Sequence, residues 1–200
     1  MHRTIFTTPV LKRFFYFVSV FYLRLAGWKV EGGLPQDASH VIIAAPHTSN
    51  WDLLYALTMS FAMHFKVHWM GKDALFRPPF GSIMQWLGGL PIDRSKANSM
   101  VAQSIEVIKT HECLNLVVPP EGTRKKVHYW KTGFYYIAQG ANVPIVLSYL
   151  DYKRKIGGIG PIIMPTGDIE ADMEIIRTFY ASVTGKHAND AGEACISAKN

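Results

Sequence analysis

The sequence predicts one α/β domain, a largely parallel central sheet flanked by helices, with a separate amphipathic helix at its N-terminus. Three observations carry this. Short β-branched runs such as VIIAA and LNLVV alternate with stretches of helical length, the pattern of strands buried on both faces and joined by crossover helices. Those runs stop at prolines and open into polar loops, as strand ends do. No Pro/Gly/Ser-rich linker, repeat or low-complexity segment divides the 200 residues, of which 48% are hydrophobic, so one core accounts for the chain. The expected organisation is an interfacial helix over 1–30, the α/β domain over 31–185 and a flexible tail over 186–200.

Each element has its own warrant. After Pro9, VLKRFFYFVSVFYLRLAGW reads as an aromatic-rich helix with basic residues toward both ends. VIIAA (41–45), bounded by Pro46, is a central strand, and WDLLYALTMSFAMHF (51–65) is the helix that follows. KVHWMG (66–71) is a second strand, FGSIMQWLG (80–88) a short helix after the Pro78–Pro79 break, LPID (90–93) a short strand and 98–110 a helix. LNLVV (114–118) is a buried strand cut off by Pro119 and Pro120, and TGFYYIAQG (132–140) a short helix with Gly140 as its stop signal. VPIVLSYLDY (143–152) is the longest strand, and Asp168 caps a final amphipathic helix, IEADMEIIRTFYASV.

Charge narrows the partners. A net charge of +6 and a pI near 9.3 call for an anionic one: nucleic acid, a membrane surface or a phosphorylated substrate. The apolar core of the N-terminal helix, Phe14 to Leu23, covers roughly 15 Å, about half of a ~30 Å hydrocarbon layer, so it does not span a bilayer unaided. No small-x-small cleavage site follows it, which disfavours a signal peptide. Lys12, Arg13 and Arg24 flank Phe14, Phe15, Tyr16, Phe17 and Phe21, which suits a helix lying in a membrane interface. The plainer alternative is a helix packed on the domain with its basic ends in water. Cys113 and Cys195 lie far apart and neither belongs to a C-x-x-C pair, which argues against a disulfide framework or a cysteine zinc site and fits a reducing compartment. No Walker, G-x-G-x-x-G or zinc-finger pattern supports nucleotide or nucleic-acid binding.

In parallel sheets ligands gather at the carboxyl ends of the strands. Two such ends carry surplus polar residues, PHTSNWD after VIIAA and PPEGTRKK after LNLVV, so the site is expected between them. In the first, His47 and Asp52 form a His-x4-Asp pair. The spacing alone is weak, since His68 and Asp73 repeat it. Context separates the two: His68 falls inside a predicted strand, whereas His47 follows a strand end and Asp52 lies in the first turn of the next helix. The carboxylate can fold back and hold one ring nitrogen as a donor, leaving the other to accept a proton. The alternative is helix capping by Ser49, Asn50 or Asp52, with His47 a loop residue. No serine or cysteine is persuasively placed as a nucleophile, though Ser49 stays open. A substrate hydroxyl would complete the arrangement: His47 deprotonates an alcohol that attacks an activated carbonyl, then returns the proton to the leaving group. Such assistance is typically worth about 10²–10⁴ in rate.

The second loop adds anion chemistry. Its prolines fix the start of the turn and Gly122 lets the backbone approach a ligand. Thr123 offers a hydroxyl and Arg124 a planar fork suited to phosphate. Glu121 is placed to orient the arginine or to bind a ligand hydroxyl. Lys72 and Lys131 either add positive potential or are ordinary surface lysines. His64 and His68 have metal-like spacing but no third ligand, so no metal is expected.

With these residues in place, about residues 40–150 resemble the glycerolipid acyltransferases, the lysophosphatidic-acid-acyltransferase-like (1-acylglycerol-3-phosphate acyltransferase) family. PHTSNWD is similar to that family's first block, with the dyad at His47 and Asp52. FGSIMQWLGGLPIDR (80–94) resembles the second, which implies an acceptor-phosphate contact at Arg94. VPPEGTR resembles the third and NVPIV, with Pro144, the fourth. The resemblance implies a glycerolipid acyltransferase-like fold over 31–185 and membrane association. It further implies acyl-CoA or acyl carrier protein as co-substrate, a lysolipid acceptor, no other cofactor and direct transfer without an acyl-enzyme. Lys125 and Lys126 stand where relatives carry a small hydroxyl residue, and Val118 where an aromatic is common, which leaves the acceptor open.

The combined expectation is a peripheral enzyme on the cytoplasmic side of a membrane. His47 and Asp52 are its catalytic residues, and Arg94, Glu121, Gly122, Thr123 and Arg124 bind substrate. Its partners are the lipid surface, the lysolipid and the acyl donor, with no nucleic acid. An acyl thioesterase using water and a non-catalytic lipid-binding protein are the alternatives.

Overall fold

The computed structural model describes residues 3–92 and 97–197. In chain order it contains α1 (Pro9–Leu25), β1 (Lys29–Glu31), β2 (His40–Ala44), α2 (Trp51–Ala62), β3 (His68–Lys72), α3 (Gly81–Trp86) and β4 (Gly89–Ile92). There follow α4 (Ala97–Thr110), β5 (Asn115–Val118), α5 (Gly133–Ala141), β6 (Ile145–Asp151), β7 (Ile156–Ile163) and α6 (Ile169–Tyr180). Among the described residues the strands form one sheet in the order β1-β7-β6-β2-β5-β3-β4. Every neighbouring pair runs parallel except β6 and β7.

The expected three-layer α/β architecture is what the residues build. Strand β2 sits at the sheet centre because both its faces are apolar and both are covered. Val41 and Ile43 pack with Ile108, Phe134, Met173 and Ile176 of α4, α5 and α6, while Ile42 packs on the other face with Phe65, Val146 and Ile159. Helices α1 and α2 lie on that second face and run antiparallel. Phe15 stacks on Phe61 with ring centroids 5.1 Å apart, and Tyr22 meets Tyr55 at the opposite end.

Topology places the site. From β2 the chain crosses by α2 to β3, on the β5 side; from β5 it crosses by α5 to β6, on the other side of β2. The two connections therefore leave the β2–β5 pair in opposite directions, and in open α/β sheets ligands bind at the carboxyl ends of strands at such a switch point. The register sets Ile43 beside Val118, so the two strands end level and PHTSNWD and PPEGTRKK emerge side by side.

Several details depart from the sequence reading. Helix α5 does not stop at Gly140 but at Asn142, which takes the left-handed conformation (φ 56°) that a C-terminal cap requires. Gly140 is instead a close-packing position, since a Cβ there would lie 2.5 Å from Ile105 of α4. Strand β7 was hidden by its Gly- and Pro-rich sequence IGGIGPII, and β1 by its length of three residues. Where a flexible tail was expected, residues 186–197 fold back on the domain: Trp130 N–H donates to the Cys195 carbonyl at 2.7 Å, and Ala194 is buried. The N-cap at Asp168 is as expected, its carboxylate accepting Ala171 N–H at 3.1 Å.

Candidate active site

The turn after β2 is organised around one carboxylate. Asp52, in the first turn of α2, is nearly fully buried. Its Oδ2 accepts Thr48 N–H and Ser49 N–H, both at 2.9 Å, and lies 3.1 Å from His47 Nδ1. Its Oδ1 accepts the Tyr152 hydroxyl at 2.7 Å. Asn50 makes no side-chain cap; of the capping candidates, Ser49 Oγ accepts Trp51 N–H at 3.2 Å, while Asp52 holds the backbone of the turn before the helix. Burial pushes the Asp52 carboxyl up, but the hydrogen bonds from His47, Tyr152 and Ser49 outweigh it and hold the group below its ordinary value. An ionised carboxylate only accepts, so His47 Nδ1 carries a proton, and in the neutral ring Nε2 is the nitrogen that accepts. The His47 side chain is 28% exposed against 7% for Asp52, so the ring reaches solvent while its anchor does not.

The second loop locks the first from the other side. Glu121, at the carboxyl end of β5, is buried, and both its oxygens accept His47 N–H, at 3.1 and 3.2 Å. Burial raises the Glu121 carboxyl above its ordinary value, only partly offset by that N–H. Its contact is with the catalytic turn; the arginine-orienting role expected of it has no hydrogen bond behind it among the described residues. Pro119 to Gly122 is a closed turn, with Gly122 N–H donating to the Pro119 carbonyl at 3.1 Å and Gly122 at φ +66°. That backbone is one glycine adopts without strain. Thr123 and Arg124 stand exposed beyond it. Arg94 lies outside the described residues.

The duplicate pair does not assemble. His68 is buried in β3, and burial, with the nearby charge of His111, lowers its pKa to about 4. Asp73 is on the surface, 3.4 Å from Arg77. His64 stacks on Tyr16 at 4.5 Å and does not join His68 as a ligand pair. Among the described residues no three His, Cys, Asp or Glu side chains gather as a metal site.

Sequence reasoning missed three contributors. Tyr152 follows the end of β6, one hundred residues from the Asp52 it touches. Lys186 Nζ lies over both the Trp51 and Tyr152 rings, at 5.7 and 5.4 Å. Thr48 Oγ1 accepts His187 N–H at 3.2 Å, tying residues near the C-terminus to the turn that carries His47. The signal available was positional: β6 borders β2 in parallel, so its end also faces the site.

The chain is 33% identical over 132 residues to the 1-acyl-sn-glycerol-3-phosphate acyltransferase of Haemophilus influenzae, an alignment covering 61% of this chain and 53% of that protein. The chain thus spans about half the length of that curated relative. The fold is like that of the 1-acyl-sn-glycerophosphate (LPA) acyltransferase PlsC from Thermotoga maritima, with a TM-score of 0.60 at 18% identity over 86% of this chain and 78% of that one. Residues 28–149, which run from the start of β1 through most of β6 and enclose His47, Asp52 and the Glu121 turn, match the acyltransferase family; the chain belongs to it.

Proposed function

We propose that this protein is an O-acyltransferase that moves a fatty acyl group from acyl-CoA or acyl carrier protein to a hydroxyl of a lysophospholipid or related glycerolipid. One observation carries the reading. A half-open imidazole is fixed through Nδ1 against a buried ionised carboxylate where the chain leaves the carboxyl end of β2, beside that of β5. In this mechanism His47 Nε2 takes the proton of the acceptor hydroxyl as its oxygen attacks the thioester carbonyl. Asp52 stabilises the imidazolium so formed. The tetrahedral intermediate expels thiolate, which receives the proton from His47, so the products are an ester and a free thiol. Arg124, beside Gly122 and Thr123, holds the anionic headgroup, and Arg94 is assigned the same task.

A lipid acceptor is supported by the surface around the dyad. On α1, Phe14, Phe17, Phe21 and Leu25 point into solvent, as do Trp51 and Leu53 at the start of α2. The inner face of α1 packs on α2, and its outer face presents apolar side chains to solvent. No helix among the described residues is long and apolar enough to cross a membrane. A patch of this kind beside basic residues suits peripheral binding to anionic lipid, which we place on the cytoplasmic face.

The test is thiol release from acyl-CoA with and without a panel of lysolipids, for the wild type and His47→Ala. Acceptor-dependent release lost in the variant supports the reading. Release that needs no acceptor and yields free fatty acid would make the enzyme a thioesterase, and release unchanged in His47→Ala would refute the dyad.

A further inference from the structure

Of the two Asp52 oxygens, Oδ2 gathers three N–H donors, whereas Oδ1 accepts the Tyr152 hydroxyl at 2.7 Å. Three donors on Oδ2 already hold the carboxylate in place, so what a partner on Oδ1 adds is a hydrogen bond to the second oxygen, which draws negative charge away from the one that faces His47. Tyr152 is built for the task. Its backbone N–H donates to the Thr184 carbonyl at 2.9 Å. Its ring is held edge-on against Trp28 at 5.0 Å and Tyr55 at 5.7 Å. Lys186 Nζ lies 5.4 Å from the ring centroid, and a cation over a phenol strengthens its O–H as a donor.

We infer that Tyr152 is a positioning residue of the acyl-transfer site: its hydroxyl holds the second Asp52 oxygen and tempers the basicity of the carboxylate, and through it the strength of the hydrogen bond that holds His47. This rests on the general-base reading proposed above. Segments distant in sequence hold the ring: the start of β1, α2, β6 and the stretch around residues 184–186. A structural tyrosine that merely filled space would not need its hydroxyl on the one carboxylate oxygen without an N–H donor. Burial, then the bond to Asp52 and its charge, raise the Tyr152 hydroxyl far above its ordinary value, so it remains a donor at every pH at which the enzyme works. The other titratable groups facing this pair are His47, Glu121, Tyr55 of α2, Tyr22 of α1 and Lys186. All are unchanged by Tyr152→Phe, so a difference between the two profiles isolates the hydroxyl.

The experiment compares wild type, Tyr152→Phe and His47→Ala in acceptor-dependent thiol release across pH, with thermal unfolding of each. Phenylalanine keeps the ring and its packing. We expect Tyr152→Phe to unfold within a few degrees of wild type, to lose about tenfold in kcat with KM for both substrates within twofold, and to move the acid limb of kcat/KM upward by about half a pH unit. The upward sign follows because a carboxylate relieved of one donor stabilises the imidazolium more strongly. The downfield His47 Nδ1–H proton resonance, which reports the dyad without turnover, should shift or broaden as well. Wild-type kcat, limb and resonance in Tyr152→Phe, with His47→Ala inactive, would overturn this inference alone. An active His47→Ala would overturn the general-base reading beneath it.

Discussion

Replacing Asp52 by asparagine separates charge from shape at the centre of the site. The amide oxygen has one sensible position, that of Oδ2, where Thr48 N–H, Ser49 N–H and His47 Nδ1 converge. The flipped amide would set its NH2 against two backbone N–H donors. In the favoured orientation the amide nitrogen meets the Tyr152 hydroxyl, which turns to accept. His47 therefore keeps its proton on Nδ1, and what is lost is the negative charge. A unit charge pair 3.1 Å apart is worth about 5 kcal/mol at an effective dielectric near 20. The His47 ring is partly open to water, which screens part of this, leaving about 4 kcal/mol of lost imidazolium stabilisation, or about 10³ in kcat. KM should stay within threefold, because the amide fills the same space. Stability should fall by about 1–3 kcal/mol as charge-assisted hydrogen bonds become neutral ones. Acceptor-dependent thiol release measures the rate and urea unfolding the stability. An Asp52→Asn enzyme within tenfold of wild-type kcat would refute the argument that the Asp52 charge drives catalysis.

Two further outcomes follow from particular contacts. The neutral His68, its pKa lowered from 6.5 to about 4 chiefly by burial, takes a proton on unfolding. Its contribution is present in full above pH ~6.5 and is lost as pH falls toward 4, by about 1.4 kcal/mol per unit and roughly 3 kcal/mol in all. His68→Gln should flatten the acid side of the stability curve relative to wild type while keeping acyl transfer; parallel curves for the two proteins would refute this account of His68. Phe17 and Phe21 are 59% and 70% exposed, so Phe17→Ser with Phe21→Ser should leave the melting temperature within about 2 °C. At roughly 1 kcal/mol or more per aromatic inserted in an interface, binding to vesicles containing anionic phospholipid should weaken at least about thirtyfold. Unchanged vesicle affinity would remove α1 from the membrane contact.

Much of this was legible from the chain alone, for a local reason. β2 and α2 show as an apolar run stopped by Pro46 and a helical stretch after it, and four intervening residues bring Asp52 back onto His47, so the dyad is written within one turn. The loop after β5 was readable in the same way, because prolines and Gly122 dictate its backbone whatever surrounds it. Glu121 was found but its partner was not, since the His47 N–H it holds lies 74 residues away and backbone donors leave no mark in side-chain patterning. The same reason hid the folding-back of residues 186–197, which is fastened by a backbone hydrogen bond to Trp130. β7 escaped because its glycines lack the β-branched signature.

By itself the sequence determined the alternation of buried strands and helices, hence a parallel sheet, and the chemical types gathered at two strand ends. Strand ends and strand interiors in the sequence favoured His47 and Asp52 over the equally spaced His68 and Asp73, and tertiary structure supplied the contacts that assemble only the first pair. It buried His68 without its aspartate and left His47 half open against Asp52, because exposure and hydrogen-bond partners depend on strand order, not on spacing. It also brought Tyr152 to Asp52, since β6 borders β2 only after the chain has reversed its crossover direction at the sheet centre.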